Sequence, residues 1–434
     1  MSNIDHQPHT FIGDHRPTYQ PMLSMPPIRD VTSDTSDSTS CCTPARSASN
    51  ASSRFCMHNG SDGFIINDVI TISPMIDANP SVTRLCSRLQ EIRSGKAFIV
   101  DSDIPASTII RRDYPEAIVK PWHGVAQTSE VERLQALPGC FPPAVELRRL
   151  LHLAIKHIRD SCSDDYWSYD VHYELLGLIF RSGPLHRPNS TPFLLGPWYV
   201  LTRYKQVPAF PRRMDHSPSN SINAELDSQW VEEGAELYKK KIDFCLHVNI
   251  GFEDGFQRPM NAEILKNMGV RAAGPTSYAP FAHQPIILMV VGKGYDGSSL
   301  DAFEQIKTWH LAQWRYFIHL LAYRWMRENS HISNNSAPEE LEARDKFVND
   351  TLDKLPCIPG VVINGERWMF VLSRRCGKRI RFQHEIEFGT TRSILDICKV
   401  VTGLREIAGW LQDVYLPWLR NDLGLRVDYN KSNA

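Results

Sequence analysis

Two short apolar segments place an acid and a lysine where they could act together. Residues 240–245 read Lys-Lys-Ile-Asp-Phe-Cys and carry Asp243. Residues 285–293 are almost wholly apolar, as a buried central strand is, and they end on Lys293. An acid on one strand, with acid-x-Lys on its neighbour, would bind Mg²⁺ and orient a water for phosphodiester hydrolysis. The spacing and the lysine are present, but Val291 stands where the second acid would be.

The same residues also have structural explanations, and the sequence leaves both open. An aspartate on an apolar strand is costly to bury unpaired, so Asp243 could form an ion pair with Lys293. Lys293 could equally be solvated at the end of its strand. His172 is expected to be a hydrogen-bonded core histidine rather than a catalytic base. The acids that could replace the missing one from elsewhere are Asp164, Asp165, Glu174, Asp296, Asp301 and Glu304.

Composition favours a folded domain and gives little sign of a nucleic-acid partner. The chain has 434 residues, 42% of them hydrophobic, and 48 basic against 49 acidic residues give a net charge of −1. Binding of nucleic acid would therefore need a local basic patch. The candidate contacts lie in two clusters, Lys239, Lys240 and Lys241, and Arg374, Arg375, Lys378 and Arg379.

Cysteine spacing and hydropathy exclude several other classes. The ten cysteines are scattered without a CxxC pair, so neither a zinc site nor a disulfide framework is supported. The longest apolar run, residues 286–291, is far too short to span a membrane. No basic segment followed by an apolar stretch opens the chain. We therefore expect an intracellular protein of the nucleus or cytoplasm, without a membrane partner.

The chain divides into three parts. Residues 1–80 are rich in Ser, Thr and Pro and are predicted to be a disordered tail, because they carry too little apolar area to offset their ordering entropy. Residues 81–425 are predicted to form one domain, and residues 426–434 a flexible C-terminus.

Within the domain, apolar periodicity predicts a mixed α/β order rather than regular βα alternation. Asn364-Gly365 is expected to form the turn of a hairpin. Thr390 or Thr391 is expected to cap the last helix. The predicted helices are residues 82–94, 142–158, 164–176, 300–326 and 391–414, and the predicted strands are 198–204, 241–248, 285–291, 359–363, 367–372 and 379–388. Irregular or loop structure is expected for residues 97–140, 208–235 and 252–284. Residues 328–355 are charged and polar and are expected to form an exposed excursion.

Six groups of residues, in chain order, resemble one known family. They are Trp167 with Val171-His172 and Leu175-Leu176; residues 241–245; Tyr278-Ala279-Pro280 with Pro285-Ile286; Gln305, Trp309 and Ala312-Gln313-Trp314; Leu355-Pro356, Ile358-Pro359-Gly360, Trp368, Phe370 and Val371; and Trp410, Val414, Tyr415, Pro417 and Trp418. This order is similar to that of the fungal PD-(D/E)XK nuclease-like domain family, over roughly residues 82–425.

The resemblance implies a fold and a set of roles. The fold would be α/β, a nuclease-like mixed sheet flanked by helices. The family's second strand reads Ile-Glu-Thr-Lys, which places its glutamate at Val291. Asp243 and the Gly292 carbonyl would be Mg²⁺ ligands, Lys293 would orient the attacking water, and Gln305 would contact the active strand.

The missing acid leaves two hypotheses for the function. Valine supplies no oxygen, and loss of a direct catalytic contact commonly costs several kcal/mol of barrier. The first hypothesis is therefore a degenerate, non-catalytic pseudoenzyme that acts as a binding or accessory module. Family members are sometimes encoded in fungal secondary-metabolite pathways, so the first hypothesis includes an accessory role in such a pathway. The alternative is a Mg²⁺-dependent nuclease with a relocated second acid.

Overall fold

The structure is a computed structural model, and it describes the greater part of the predicted domain. The described residues are 79–96, 128–180, 193–195, 242–248, 252–253, 258–259, 265, 273–275, 283–295, 297–329, 338–377 and 379–425. The predicted tail lies outside them except for Asn79 and Pro80. The predicted C-terminal segment 426–434, the strand at 198–204 and the lysine run 239–241 also lie outside the described residues.

Helices form where the apolar periodicity is strong. In chain order they are α1 (Pro80–Arg93), α2 (Thr128–Ala136), α3 (Ala144–Arg159), α4 (Asp164–Trp167), α5 (Glu174–Phe180), α6 (Ser299–Glu328), α7 (Pro338–Leu352), α8 (Ile394–Trp410) and α9 (Leu416–Asn421). Two π-helical turns, Ser168–Tyr173 and Leu411–Tyr415, join α4 to α5 and α8 to α9. The five predicted helices are confirmed. The prediction of irregular structure at α2 is wrong. α7 lies in the predicted exposed excursion, where no helix was predicted, and only a few of its residues are buried.

Six of the described strands make one mixed sheet, which confirms the predicted fold class. They are β1 (Phe193–Leu195), β2 (Phe244–Val248), β3 (Phe252–Glu253), β4 (Arg258–Pro259), β5 (Ile286–Lys293), β6 (Ile358–Asn364), β7 (Arg367–Cys376) and β8 (Arg379–Thr390). The six-stranded sheet has the order β1-β2-β5-β6-β7-β8, and β3 and β4 form a separate two-stranded sheet. β5 and β6 are parallel, while the other neighbours in the sheet are antiparallel.

The connections follow from these directions. Parallel β5 and β6 need a crossover, which α6 and α7 supply. Antiparallel β6 and β7 need only a two-residue turn, Gly365-Glu366, because Asn364 already pairs with Arg367. The turn is thus one residue later than predicted, and Gly365 takes the left-handed conformation (φ 55°) that its missing side chain allows.

Alternate residues of the central strands enter two different apolar clusters. Phe244, Leu246 and Val290 belong to the large core, which also takes side chains from α1, α3, α5 and α8. Cys245 and Val291, on the other face, belong to a smaller cluster beneath α6. The members of this second cluster are Ile242, Cys245, Ile286, Met289, Val291, Ala302, Phe303, Ile306, Trp309, Val362, Met369 and Val371. The sheet is therefore covered by helices. None of the described helices is long and apolar enough to cross a membrane.

Candidate functional site

The pairing of β2 with β5 brings Asp243 beside the segment that carries Val291. Phe244 pairs with Val290, and Asp243, one residue before β2, lies next to residues 290–292 of β5. The Asp243 N–H donates to the Val290 carbonyl at 3.1 Å. Its Oδ2 accepts a hydrogen bond from the Gly292 N–H at 2.8 Å. The carboxylate is 5% exposed and therefore needs these polar contacts.

Position 291, where the second acid would stand, is apolar. Val291 has no exposed surface and belongs to the cluster that includes Ala302, Phe303 and Ile306 of α6. Packing of this kind arises because Val291 points to the sheet face that α6 covers. An acid at this position would have to share the space with those side chains.

Lys293 ends the strand on the same face as Val291, since the two are two residues apart. It is half-buried, and its carbonyl accepts a hydrogen bond from the Gly365 N–H at 2.8 Å. Gln305 is 5% exposed on α6, the helix that covers this face. The structure therefore places Asp243 and Lys293 at neighbouring strands and Gln305 on the helix that covers the sheet, and their catalytic roles stay predictions.

His172 lies on the opposite face of β5 and is a core histidine, as predicted. It has no exposed surface, and its Nε2 donates to the Gly365 carbonyl at 2.9 Å. Burial lowers the pKa of His172 to about 4. A carbonyl oxygen only accepts, so Nε2 carries the single ring proton of this neutral histidine. The ring ties the first π turn to the β6–β7 turn.

One motif at this site was missed from the sequence. Gly292, Gly294 and Gly297 form G-x-G-x-x-G between β5 and α6, with a parallel strand following, as in dinucleotide-binding units. A Cβ on these glycines would lie 3.0 Å from His172 Nδ1, 2.7 Å from Asp164 Oδ1 and 2.7 Å from Lys293 Cβ, respectively. The glycines therefore serve close packing of protein on protein, and the pattern does not indicate a phosphate site here.

The acids that could replace the missing one are engaged elsewhere or lie on other surfaces. Asp164 Oδ1 accepts from the Gly294 N–H at 2.5 Å. Glu174 pairs with Arg149 at 2.7 Å, and Glu304 pairs with Lys307 at 3.2 Å. Asp165 and Asp301 are exposed. Asp296 lies outside the described residues.

The described donors do not fit a Mg²⁺ site. Mg²⁺ prefers near-octahedral oxygen ligands, usually one or two carboxylates with waters. Here Asp243 offers one carboxylate, of which one oxygen already accepts the Gly292 N–H, and Val291 offers none. Within the described residues, no three His, Cys, Asp or Glu side chains come together as metal ligands would.

The arginine cluster on β7 and β8 needs a correction. Successive residues of a strand point to opposite faces, so Arg374 and Arg375 do not form one surface. The Arg375 side chain is 5% exposed and hydrogen-bonds Asn349 of α7. It is therefore not available to a phosphate. Arg379 is exposed and Arg374 half-buried, while Lys378 lies outside the described residues.

Together, the fold and the site define a class. A helix-covered mixed sheet in which an aspartate and an x-x-Lys segment meet on neighbouring strands is the arrangement of PD-(D/E)XK domains. A family model described as the PD-(D/E)XK nuclease superfamily matches residues 111–416, most of the chain, and the protein therefore belongs to that superfamily. Comparisons with curated proteins and with solved structures returned no match for this chain. Nucleases of this superfamily are typically dependent on a divalent metal.

Proposed function

We propose that this protein is a PD-(D/E)XK domain without nuclease activity, which serves as a binding or accessory module. The observation that carries the proposal is the fully buried Val291 on the strand segment to which Asp243 is hydrogen-bonded. The acid-x-Lys segment is thereby reduced to Val-Gly-Lys on a sheet face packed against α6.

The chemistry explains why one residue has so large an effect. A metal in such a site would neutralise charge that develops on the phosphate and would lower the pKa of a bound water. With one carboxylate, binding of Mg²⁺ is weak. Lys293 alone would offer a single positive charge without a means of generating hydroxide. Asp243 and Lys293 are on this proposal remnants of a catalytic pair.

The alternative function is a Mg²⁺-dependent nuclease in which a second acid has moved. The retained juxtaposition of Asp243 and Lys293 on neighbouring strands favours it. Asp296 is the candidate donor that lies closest along the chain to Lys293 and outside the described residues. Gln305 would be a further contact in that site.

A cleavage assay decides between the two. We expect the full chain to leave plasmid, duplex and single-stranded DNA intact in Mg²⁺ and in Mn²⁺, at the level of the Asp243→Ala variant prepared in parallel. Cleavage that Asp243→Ala and Lys293→Ala both abolish would overturn the proposal and establish the alternative. Cleavage that survives both substitutions would indicate a contaminating nuclease and calls for repurification.

We further propose that the module works inside the cell, in the nucleus or cytoplasm, as an accessory protein of a fungal secondary-metabolite pathway. The likeness of the six sequence segments supports this role. Nucleic acid is a candidate partner through Lys239, Lys240, Lys241, Arg374, Lys378 and Arg379. Deletion of the gene followed by metabolite profiling tests the pathway role, and an unchanged profile would contradict it.

A further inference from the structure

We infer that the residues of the remnant site now stabilise the fold. Asp243 is a structural hydrogen-bond acceptor, and position 291 is a position of the apolar core. Restoring the acid alone would therefore not rebuild a metal site. This inference rests on the proposed absence of catalysis and adds that the absence is not reversible by one substitution. It also directs the search for a binding surface away from this sheet face.

Asp243 links the start of β2 to β5 through two hydrogen bonds. Its N–H donates to the Val290 carbonyl, and its Oδ2 accepts from the Gly292 N–H at 2.8 Å. The side chain thus supplies the acceptor that a backbone carbonyl would supply in a longer strand. A buried N–H that loses its acceptor pays the full cost of desolvation. Asp243 therefore stabilises the fold whether or not a metal is present.

Position 291 is closed from the side of α6. Val291 is fully buried in the cluster beneath that helix, which includes Phe303 and Ile306. α6 itself lies very close to the sheet, because a Cβ on Gly360 of the adjacent strand would be 2.5 Å from Ile306 Cδ1. A carboxylate here would lose its water and would be packed among these apolar side chains.

The strand cannot shift toward its other face either. A Cβ on Gly292 would be 3.0 Å from His172 Nδ1, so the backbone of β5 already touches the His172 ring. His172 is held in turn by its hydrogen bond to the Gly365 carbonyl. Because β5 is packed tightly on both faces, space for a metal and its waters at position 291 would require movement of α6.

The first test compares Val291→Glu with Val291→Gln, which has the same shape without the charge. We expect both variants to melt at least about 5 °C below the wild type, with the glutamate lower. We expect millimolar Mg²⁺ or Mn²⁺ to leave the melting temperature of Val291→Glu unchanged relative to Val291→Gln. A rise confined to the glutamate variant would show that the site is open and would overturn the inference.

The second test keeps the question decidable if neither variant at 291 folds. Asp243→Asn retains an oxygen that can accept the Gly292 N–H, whereas Asp243→Ala does not. We expect Asp243→Ala to lower the melting temperature by several degrees and Asp243→Asn to lower it by less, both in the presence of a chelator. An alanine variant as stable as the wild type would refute the structural role. Neither outcome depends on nuclease activity. The cleavage assay tests the proposed function, whereas these stability measurements test the inference.

Discussion

Acidification from about pH 7 to about pH 5 is expected to destabilise the domain by several kcal/mol. The cause is a set of buried, neutral histidines, His172, His247 and His310. Burial lowers the pKa of His172 and of His247 to about 4 and that of His310 to about 3. The unfolded chain, with ordinary histidine pKa values of about 6.5, therefore takes up protons first.

The sign and size follow from this difference. Stability is fully present above about pH 6.5 and falls as the pH drops toward about 4, because protons bind the unfolded state over that window. Each histidine contributes about 1.4 kcal/mol per pH unit, and three together about 4 kcal/mol per unit. Since typical domains are stable by only about 5–15 kcal/mol, cooperative unfolding is expected within this window.

Urea unfolding at a series of pH values measures the effect. The wild type should lose stability steeply below about pH 6.5. His310→Leu should reduce the slope of the unfolding free energy against pH by about 1.4 kcal/mol per unit, which corresponds to one proton. His310 is suited to this substitution because it has no exposed surface and stacks on Phe382, with ring centroids 5.8 Å apart. A stability that stays constant through the window would show that these histidines titrate normally.

The second large effect is expected at Gly403 of α8, where alanine should cost about 3 kcal/mol of stability. A Cβ at this position would overlap the Phe388 ring of β8 and lie 2.9 Å from its Cε2. Phe388 has no exposed surface, so its ring cannot move aside. The helix would have to lift from the sheet, and the large core would open.

Gly409, on the same helix, is the matched control. A Cβ there would lie 2.9 Å from Leu137 Cδ2, the far end of a flexible side chain, and in ordinary contact with Pro138 Cδ at 3.8 Å. Both substitutions improve helix propensity by about 1 kcal/mol, so Gly409→Ala should be neutral or slightly stabilising. Thermal unfolding of the two variants separates packing from propensity. Equal stability of both would mean that α8 is not packed on β8 as described.

Much of this fold was predictable because its central elements have strong local signals. The unbroken apolar run that ends at Lys293 predicts a buried strand, and Asn364-Gly365 predicts a hairpin within one residue of its place. The neighbourhood of the segments that carry Asp243 and Val291 was expected from the resemblance of their strands to a family pattern. The structure pairs these two strands, while the chemical roles of their residues are predictions still.

The errors arose where tertiary packing decides. α7 reads as polar, because only a few of its residues, such as Val348 and Leu352, are buried. Without α7, Arg375 looked like part of a basic turn, although it hydrogen-bonds Asn349 of that helix. The predicted cap at Thr390 or Thr391 failed for a similar reason, since β8 extends through Thr390 and Ser393 caps α8.

The most direct measurement of the central claim is a calorimetric titration of the wild type and Asp243→Ala with Mg²⁺ and with Mn²⁺. If the site is a remnant with one carboxylate, neither ion should bind the wild type more tightly than the variant. Saturable binding to the wild type that Asp243→Ala abolishes would contradict the account, because it would show that a complete metal site exists around Asp243.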